Sequence, residues 1–171
     1  NVGRLSEQKG MEYFIDAAEI TIKKHSNVRF FIVGDGELKD ELINRVKEKH
    51  LENLIQFLGY RSDIQNTMKQ FDFVVLSSLW EGLPLTPIEA FSVGKTVIGT
   101  SVDGTPEIIE DKENGLLVNA KDVRQLSDAM NILIEDENLR KELEVNAKKC
   151  YMEEFSFDKL AKEYRDYYGR L

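Results

Sequence analysis

Apolar residues along this chain fall into short continuous runs, separated by stretches in which they recur at helical spacing. After the stub Asn1-Val2, residues Met11, Phe14, Ile15, Ala18 and Ile22 share one face of a 3.6-residue period, which predicts an amphipathic helix. Val28 to Val33 follows as a nearly continuous apolar run, interrupted by Arg29, and reads as a buried strand. The pair then repeats. Leu38, Leu42, Ile43 and Val46 mark a helix, Leu54 to Leu58 a strand, Ile64 to Lys69 a short helix and Phe73 to Leu76 a strand. Helix Pro87 to Val93, strand Thr96 to Gly99, a short helix opening at Thr105-Pro106-Glu107 and strand Leu116 to Val118 complete the alternation. From Asp122 onward the pattern is helical: Val123 to Ile134, Leu139 to Tyr151, and a last helix capped by Ser156 and running from Phe157 towards Tyr168. Such alternation predicts an α/β, Rossmann-like open parallel sheet of about six strands, with helices on both faces, right-handed crossovers and a helical C-terminal end. With no repeat, low-complexity tract or interior linker, residues 1–171 are expected to form a single domain.

Two loops carry candidate chemistry. Glu81 lies just beyond the carboxyl end of the strand Phe73 to Leu76, where open α/β sheets bind ligands. The stretch Glu81-Gly82-Leu83-Pro84-Leu85-Thr86-Pro87-Ile88-Glu89 leads into a helix for which Thr86 is the expected N-cap, with Pro87 in its first turn. Glu89 then has two readings. It completes a capping box with Thr86, or it faces a ligand at a helix mouth whose free N–H groups suit an anion. The second loop, Gly3-Arg4-Leu5-Ser6-Glu7-Gln8-Lys9-Gly10, joins the stub to the first helix. Its Arg4 offers a planar fork and its Lys9 a mobile point charge, the two common means of holding phosphate oxygens. The loop is not a P-loop, for it lacks the G-x-x-x-x-G-K-[ST] pattern.

Charge narrows the partners. Lys and Arg total 23 against 31 Asp and Glu, a formal charge of −8, which argues against nonspecific nucleic-acid binding and supplies no polybasic membrane anchor. The single Cys150 forms no intramolecular disulfide, and no apolar run approaches a spanning helix, so a reducing cytoplasm is the expected compartment. Beginning at Asn1, almost inside the first glycine motif, the chain reads as a fragment of a longer protein. Asp35-Gly36-Glu37 superficially suggests an acidic metal pair but is read as a turn, and His25 and His50 as helix-end residues.

The order of short motifs is more specific than any one of them. G-R-L-x(4)-K-G from Gly3 is followed by Gly34-Asp35-Gly36-Glu37, then Phe57-Leu58-Gly59-Tyr60-Arg61, then Ser78-Leu79-Trp80-Glu81-Gly82-Leu83-Pro84 with Glu89-Ala90, then Gly94-Lys95-Thr96-Val97-Ile98 and Asn114-Gly115-Leu116-Leu117-Val118. Over nearly its whole length the chain resembles the carboxyl-terminal, donor-binding domain of the retaining, glycogen-synthase-like group 1 glycosyltransferases of GT-B fold. Family members often carry a further Gly after Gly82, where this chain runs directly into Leu83-Pro84.

The resemblance implies a glycosyltransferase domain that binds a nucleoside-diphosphate sugar for retaining transfer to an acceptor hydroxyl, as in polysaccharide biosynthesis. By it, Arg4 and Lys9 hold the diphosphate and Glu81 contacts the donor sugar, making these the expected catalytic residues. Glu89 takes the ribose hydroxyls, while Gly3 and the backbone of Gly82, Leu83 and Leu85 line the donor. Gly34, Asp35 and Gly36 lie near the base, which rests on Tyr60 and Arg61. No metal or other cofactor is implied. A glycan or lipid-linked acceptor would bind a missing N-terminal domain, which would bring the inner membrane face within reach. By the same resemblance the final helix, with Phe157, Leu160, Ala161, Tyr164, Tyr167 and Tyr168, is expected to leave part of its aromatic face exposed. Two alternatives stay open: a nucleotide-sugar epimerase of similar build, and a flavodoxin-like binding module without catalysis.

Overall fold

The computed structural model of the chain describes residues 1–169. Helix α1 (Met11–Lys24) precedes β1 (Phe30–Val33), followed by α2 (Lys39–Glu48), β2 (Ile55–Gly59), α3 (Ile64–Met68) and β3 (Val74–Leu76). Then come α4 (Leu85–Ser92), β4 (Val97–Thr100), a 3-10 turn at Thr105–Glu107 and β5 (Gly115–Val118). Helices α5 (Val123–Glu135), α6 (Glu137–Cys150) and α7 (Phe157–Tyr168) end the chain, with a π turn at Tyr151–Phe155 between the last two. Side chains of Asp122, Asp136 and Ser156 cap α5, α6 and α7, each accepting a backbone N–H three residues on.

All strand pairs are parallel, as the alternating pattern requires. The expected sheet of about six strands is, however, replaced by two smaller ones among the described residues: β1 pairs with β2, and β3, β4 and β5 pair in that order. The stub lies beside β1. Gly3 N–H donates to the Val33 carbonyl (3.0 Å), Val33 N–H donates to the Asn1 carbonyl (2.9 Å), and Val2 forms one parallel bridge with Val33. Towards β3 the stub forms no ladder among the described residues: the Asn1 amide donates to Ser77 Oγ, just past the strand (2.8 Å), and Val2 packs in one buried cluster with Val74 and Leu76. Beneath the stub, at the amino ends of β1 and β3, an aromatic-lined cavity of about 390 Å³ takes the place of further ladder. Phe14, Phe30, Phe31, Phe71 and Phe73 are among its walls.

Strand period divides the core. Phe30, Ile32, Val75 and Ile98 pack with Phe14, Ile15, Leu42 and Leu126 of α1, α2 and α5. Val74, Leu76 and Val97 face the other way, against Met68, Ala90 and Phe91 of α3 and α4. Helix α6 reaches both clusters, through Leu143 and Ala147. Helix α7 differs from the others in burying no residue: Phe157, Leu160, Tyr164, Tyr167 and Tyr168 are all exposed, and Tyr164 stacks on Tyr168 at 6.2 Å. This outward aromatic face agrees with the expectation from the sequence.

Candidate functional site

Because every paired strand runs the same way, the loops after the stub, β1, β2, β3 and β4 meet at one edge, and short hydrogen bonds join them. At the end of β1, Gly34 N–H donates to the Gly59 carbonyl at the end of β2 (2.9 Å). Leu5 N–H donates to the Asp35 carbonyl (3.0 Å), and Leu38 N–H donates to the Leu5 carbonyl (3.0 Å). Gly34 is obligatory for this approach. Its φ is +139°, and a Cβ there would run into the Gly3 carbonyl.

The loop of Arg4 and Lys9 is stitched to the segment after β3 in the same way. Leu79 N–H donates to the Gln8 carbonyl (2.7 Å), the Gln8 amide donates to the Trp80 carbonyl (3.0 Å), and Ser77 Oγ donates to the Lys9 carbonyl (2.9 Å). These bonds bring the Lys9 ammonium to 2.5 Å from Glu81 Oε1. The same oxygen accepts from Ser78 Oγ at 2.6 Å. Lys9 and Glu81 side chains are only 16% and 6% exposed, so the pair is largely withdrawn from water and its electrostatics are little screened. The Lys9 stem crosses the bare face of Gly3, where a Cβ would press on it at 3.3–3.4 Å. Two residues proposed from separate motifs, 72 positions apart, thus form one ion pair.

Capacity remains in that pair. An ammonium has three N–H groups, so Lys9 keeps two for other acceptors. Glu81 Oε2 makes no hydrogen bond among the described residues. The main chain of Glu81 is also held, its N–H donating to Asp103 Oδ2 (2.8 Å).

The outer residues are more open. Arg4 is exposed and lies 3.2 Å from Glu37, which ties it to the Asp35-Gly36 turn. The Asp35 carboxylate accepts from Lys39 (2.8 Å) and from Gly36 N–H (2.8 Å); these bonds hold its pKa below the ordinary value, Lys39 contributing most. Both oxygens serve the turn, as read from the sequence. Arg61 is paired with Asp63 through two bonds (2.9 and 3.0 Å), and Tyr60 is exposed beside it.

At α4 the sequence reading needs correction. Helix α4 begins at Leu85, with Pro84 in extended conformation (φ −72°, ψ 128°) as N-cap, so Thr86 is the second helical residue and caps nothing. Proline's fixed φ together with an extended ψ supplies the non-helical cap geometry one residue before Leu85. Pro87 still falls in the first turn, where its missing N–H costs nothing. Glu89, now at the fifth position, has no capping-box partner. It is partly buried, and desolvation pushes its carboxyl pKa up. Gly82, Leu83 and Leu85 remain exposed along the approach to the helix.

The sequence reading missed three contributors: Ser78, Glu37 and Asp103. Ser78 and Glu37 stood inside quoted motifs without a role, and no local pattern marked Asp103.

Parallel strands whose carboxyl edge carries a desolvated Lys–Glu pair, an exposed arginine and a helix start without a side-chain cap form a Rossmann-like arrangement whose groups suit an anionic, polyhydroxylated ligand. Residues 1–150 match the model of the Glycosyl transferases group 1, and the chain belongs to that family. A curated relative, the UDP-Gal:alpha-D-GlcNAc-diphosphoundecaprenol alpha-1,3-galactosyltransferase of Escherichia coli, is 36% identical over 152 residues, covering 87% of this chain and 38% of the relative. Among solved structures, HepE of Anabaena in complex with UDP-glucose superposes with a TM-score of 0.89 at 28% identity, covering 99% of this chain and 48% of HepE. The C-terminal domain of a group 1 glycosyl transferase, LpcC of Francisella tularensis, gives a TM-score of 0.84 at 32% identity, with 91% of this chain and 85% of that domain covered. The architecture is the Rossmann-like one of GT-B group 1 glycosyltransferases. The chain spans less than half the length of three curated relatives that it matches, the E. coli galactosyltransferase among them. No helix among the described residues is long and apolar enough to cross a membrane.

Proposed function

We propose that this chain is the donor-binding half of a retaining glycosyltransferase that uses a uridine-diphosphate sugar. The observation that carries the reading is the Lys9–Glu81 pair: it places a cation for phosphate beside a carboxylate for sugar hydroxyls, on the ligand edge of the sheet. As the bond from anomeric carbon to phosphate oxygen breaks, negative charge grows on the departing diphosphate. Two free N–H groups of Lys9, the fork of Arg4 and the start of α4, which no side chain caps, are arranged to meet that charge before it forms. Glu81 Oε2 accepts from a donor sugar hydroxyl, while Oε1 keeps Lys9 and Ser78 in place. Glu89 accepts from the ribose hydroxyls, and binding repays the desolvation of its carboxylate with charge-assisted hydrogen bonds.

The uridine assignment is supported by the UDP-Gal in the name of the E. coli relative and the UDP-glucose of the HepE complex. Retention is supported by the alpha linkage that the first relative forms, since common UDP-hexoses are themselves α-linked. The acceptor, a hydroxyl on a glycan or lipid-linked glycan, belongs to an N-terminal domain outside this chain, and the exposed aromatic face of α7 is covered by that domain. Residues Gly3, Gly34, Asp35, Gly36, Tyr60 and Arg61 shape the nucleoside end of the site. No protein-held metal enters the scheme.

Calorimetric titration of the chain with UDP, uridine, and UDP-, GDP- and ADP-sugars tests the reading. UDP is expected to bind at least tenfold more tightly than uridine, since charge-assisted hydrogen bonds contribute about 1.5–3 kcal/mol each. In Arg4→Ala and Lys9→Ala that advantage shrinks. Equal affinity for UDP and uridine in the wild-type chain would remove the clamp.

A further inference from the structure

The loop after β4 holds the backbone of Glu81 and Gly82 at two points. Asp103 Oδ2 accepts the Glu81 N–H (2.8 Å), and Gly104 N–H donates to the Gly82 carbonyl (3.1 Å). The grip is close: a Cβ on Gly104 would run into that same carbonyl. The loop is itself anchored, with Ser101 N–H donating to the Val118 carbonyl of β5 (2.8 Å) and Thr105 N–H to the Val102 carbonyl (2.9 Å). Asp103 holds a left-handed backbone, φ +42°, which an aspartate adopts only at some energetic cost. An exposed loop residue under strain, spending its carboxylate on one backbone N–H beside a buried ion pair, has no role in the core.

We propose that Asp103 is a positioning residue for the donor sugar: through the Glu81 amide it fixes the direction of the Glu81 carboxylate, and so sets how far a nucleotide sugar is preferred over the bare nucleoside diphosphate. The inference rests on the reading of Glu81 as the sugar contact. Glu81 has its side chain fixed at Oε1 by Lys9 and Ser78, and its backbone fixed by Asp103. With both ends held, Oε2 has a single direction. Without Asp103 the turn Glu81-Gly82-Leu83 retains only the Gly104 bond, and Glu81 samples orientations around Oε1. Phosphate binding through Lys9 and Arg4 is left largely intact, because the stitches of the Lys9 loop to Leu79 and Trp80 do not pass through Asp103.

Three substitutions separate positioning from strain. Asp103→Gly removes the acceptor but suits the left-handed backbone, so it keeps or raises the melting temperature. Asp103→Ala removes the acceptor and keeps the strain. Asp103→Asn retains an acceptor and tolerates φ above zero. Calorimetry compares UDP with UDP-glucose, UDP-galactose and UDP-N-acetylglucosamine, and hydrogen exchange follows the Glu81 amide. In Asp103→Gly, affinity for the preferred UDP-sugar is expected to fall about tenfold, as for one lost hydrogen bond to a charged group, with UDP affinity within about twofold of wild type. Glu81 amide exchange accelerates by a similar factor, and Asp103→Asn restores most of both. If Asp103→Gly lowers UDP and UDP-sugar equally, or leaves both and the Glu81 amide unchanged, the positioning role is wrong. Glu81→Gln locates the fault: a collapsed sugar preference in Glu81→Gln with none in Asp103→Gly refutes Asp103 alone. An unchanged preference in Glu81→Gln, or none in the wild type, refutes the sugar contact beneath it.

Discussion

Replacing Glu89 by Gln should separate stability from function. Its carboxylate is partly buried on α4, receives no hydrogen bond among the described residues, and has its pKa raised by desolvation. A group whose folded-state pKa lies above the unfolded value, about 4.3 for Glu, favours folding when protonated, and that contribution is lost as pH rises through the folded pKa. At neutral pH the ionised carboxylate therefore costs stability, and Glu89→Gln removes the cost. The variant should melt at or above the wild-type temperature at pH 7, and the gain should vanish below the unfolded pKa, where the wild-type side chain is neutral too. With α4 starting at Leu85, there is no capping box for glutamine to preserve or disturb. Binding should move the other way. An amide offers one acceptor oxygen where the carboxylate offers two, and loses the charge, so UDP affinity should fall by about 1.5 kcal/mol, roughly tenfold. The decisive comparison is UDP against 2′,3′-dideoxy-UDP by calorimetry, alongside melts from pH 4 to 8. Wild type should prefer the ribose form and Glu89→Gln should lose most of that preference. A lower melting temperature at pH 7 would mean that the carboxylate supports the fold, and an undiminished ribose preference would mean that it does not touch the nucleoside.

Lys9 and Arg4 differ in burial, and their loss should cost different amounts of stability. Lys9→Met leaves the Glu81 carboxylate buried with Ser78 alone; breaking a buried pair costs about 3–5 kcal/mol, and the surviving Ser78 bond lowers this to about 2–3 kcal/mol, roughly 5–10 °C in a melt. Arg4→Ala breaks a solvent-exposed pair with Glu37 and should cost less than about 1 kcal/mol, so equal losses for the two variants in urea titration would contradict the burial asymmetry. On α7, Tyr164→Ser and Tyr168→Ser should each change stability by no more than about 0.5 kcal/mol, because both rings are exposed. Losses above about 2 kcal/mol in the isolated chain would show that the aromatic face is packed in solution and not reserved for another domain.

Local pattern was sufficient for the elements and insufficient for their joins. Each strand and helix expected from periodicity is present within a few residues, because buried runs and amphipathic faces are properties of short windows. The start of α4 was misplaced because Thr86-Pro87 resembles a cap followed by a first-turn proline. Pro84 supplies the same cap geometry from its backbone alone, leaving no side-chain signature. The count of strands failed where the ladder depends on length: Asn1-Val2 carries the strand pattern but offers β1 a single bridge and forms no ladder with β3 among the described residues.

The candidate site shows the same division more sharply. Motif order singles out Gly3, Arg4, Lys9, Glu81 and Glu89 as candidates, but it records residue types and not pairing. That Lys9 and Glu81 pair with each other is a long-range fact, and it changes the electrostatics of the proposed clamp. A free lysine would present a full charge to the diphosphate. A lysine already bonded to a buried carboxylate presents two remaining N–H groups from a nearly neutral pair, so its contribution depends on where Glu81 is held. The direction of Glu81 in turn depends on Ser78, three residues away, and Asp103, twenty-two residues away, neither of which has a residue type that announces the task. The proposed phosphate clamp, on a chain of net charge −8, would thus work through local placement of a few donors, with acids used as struts. On the proposed reading Asp103 is such a strut: its removal takes away none of the charged groups of Lys9, Glu81 and Arg4, and acts on the direction of the Glu81 carboxylate through the Glu81 amide.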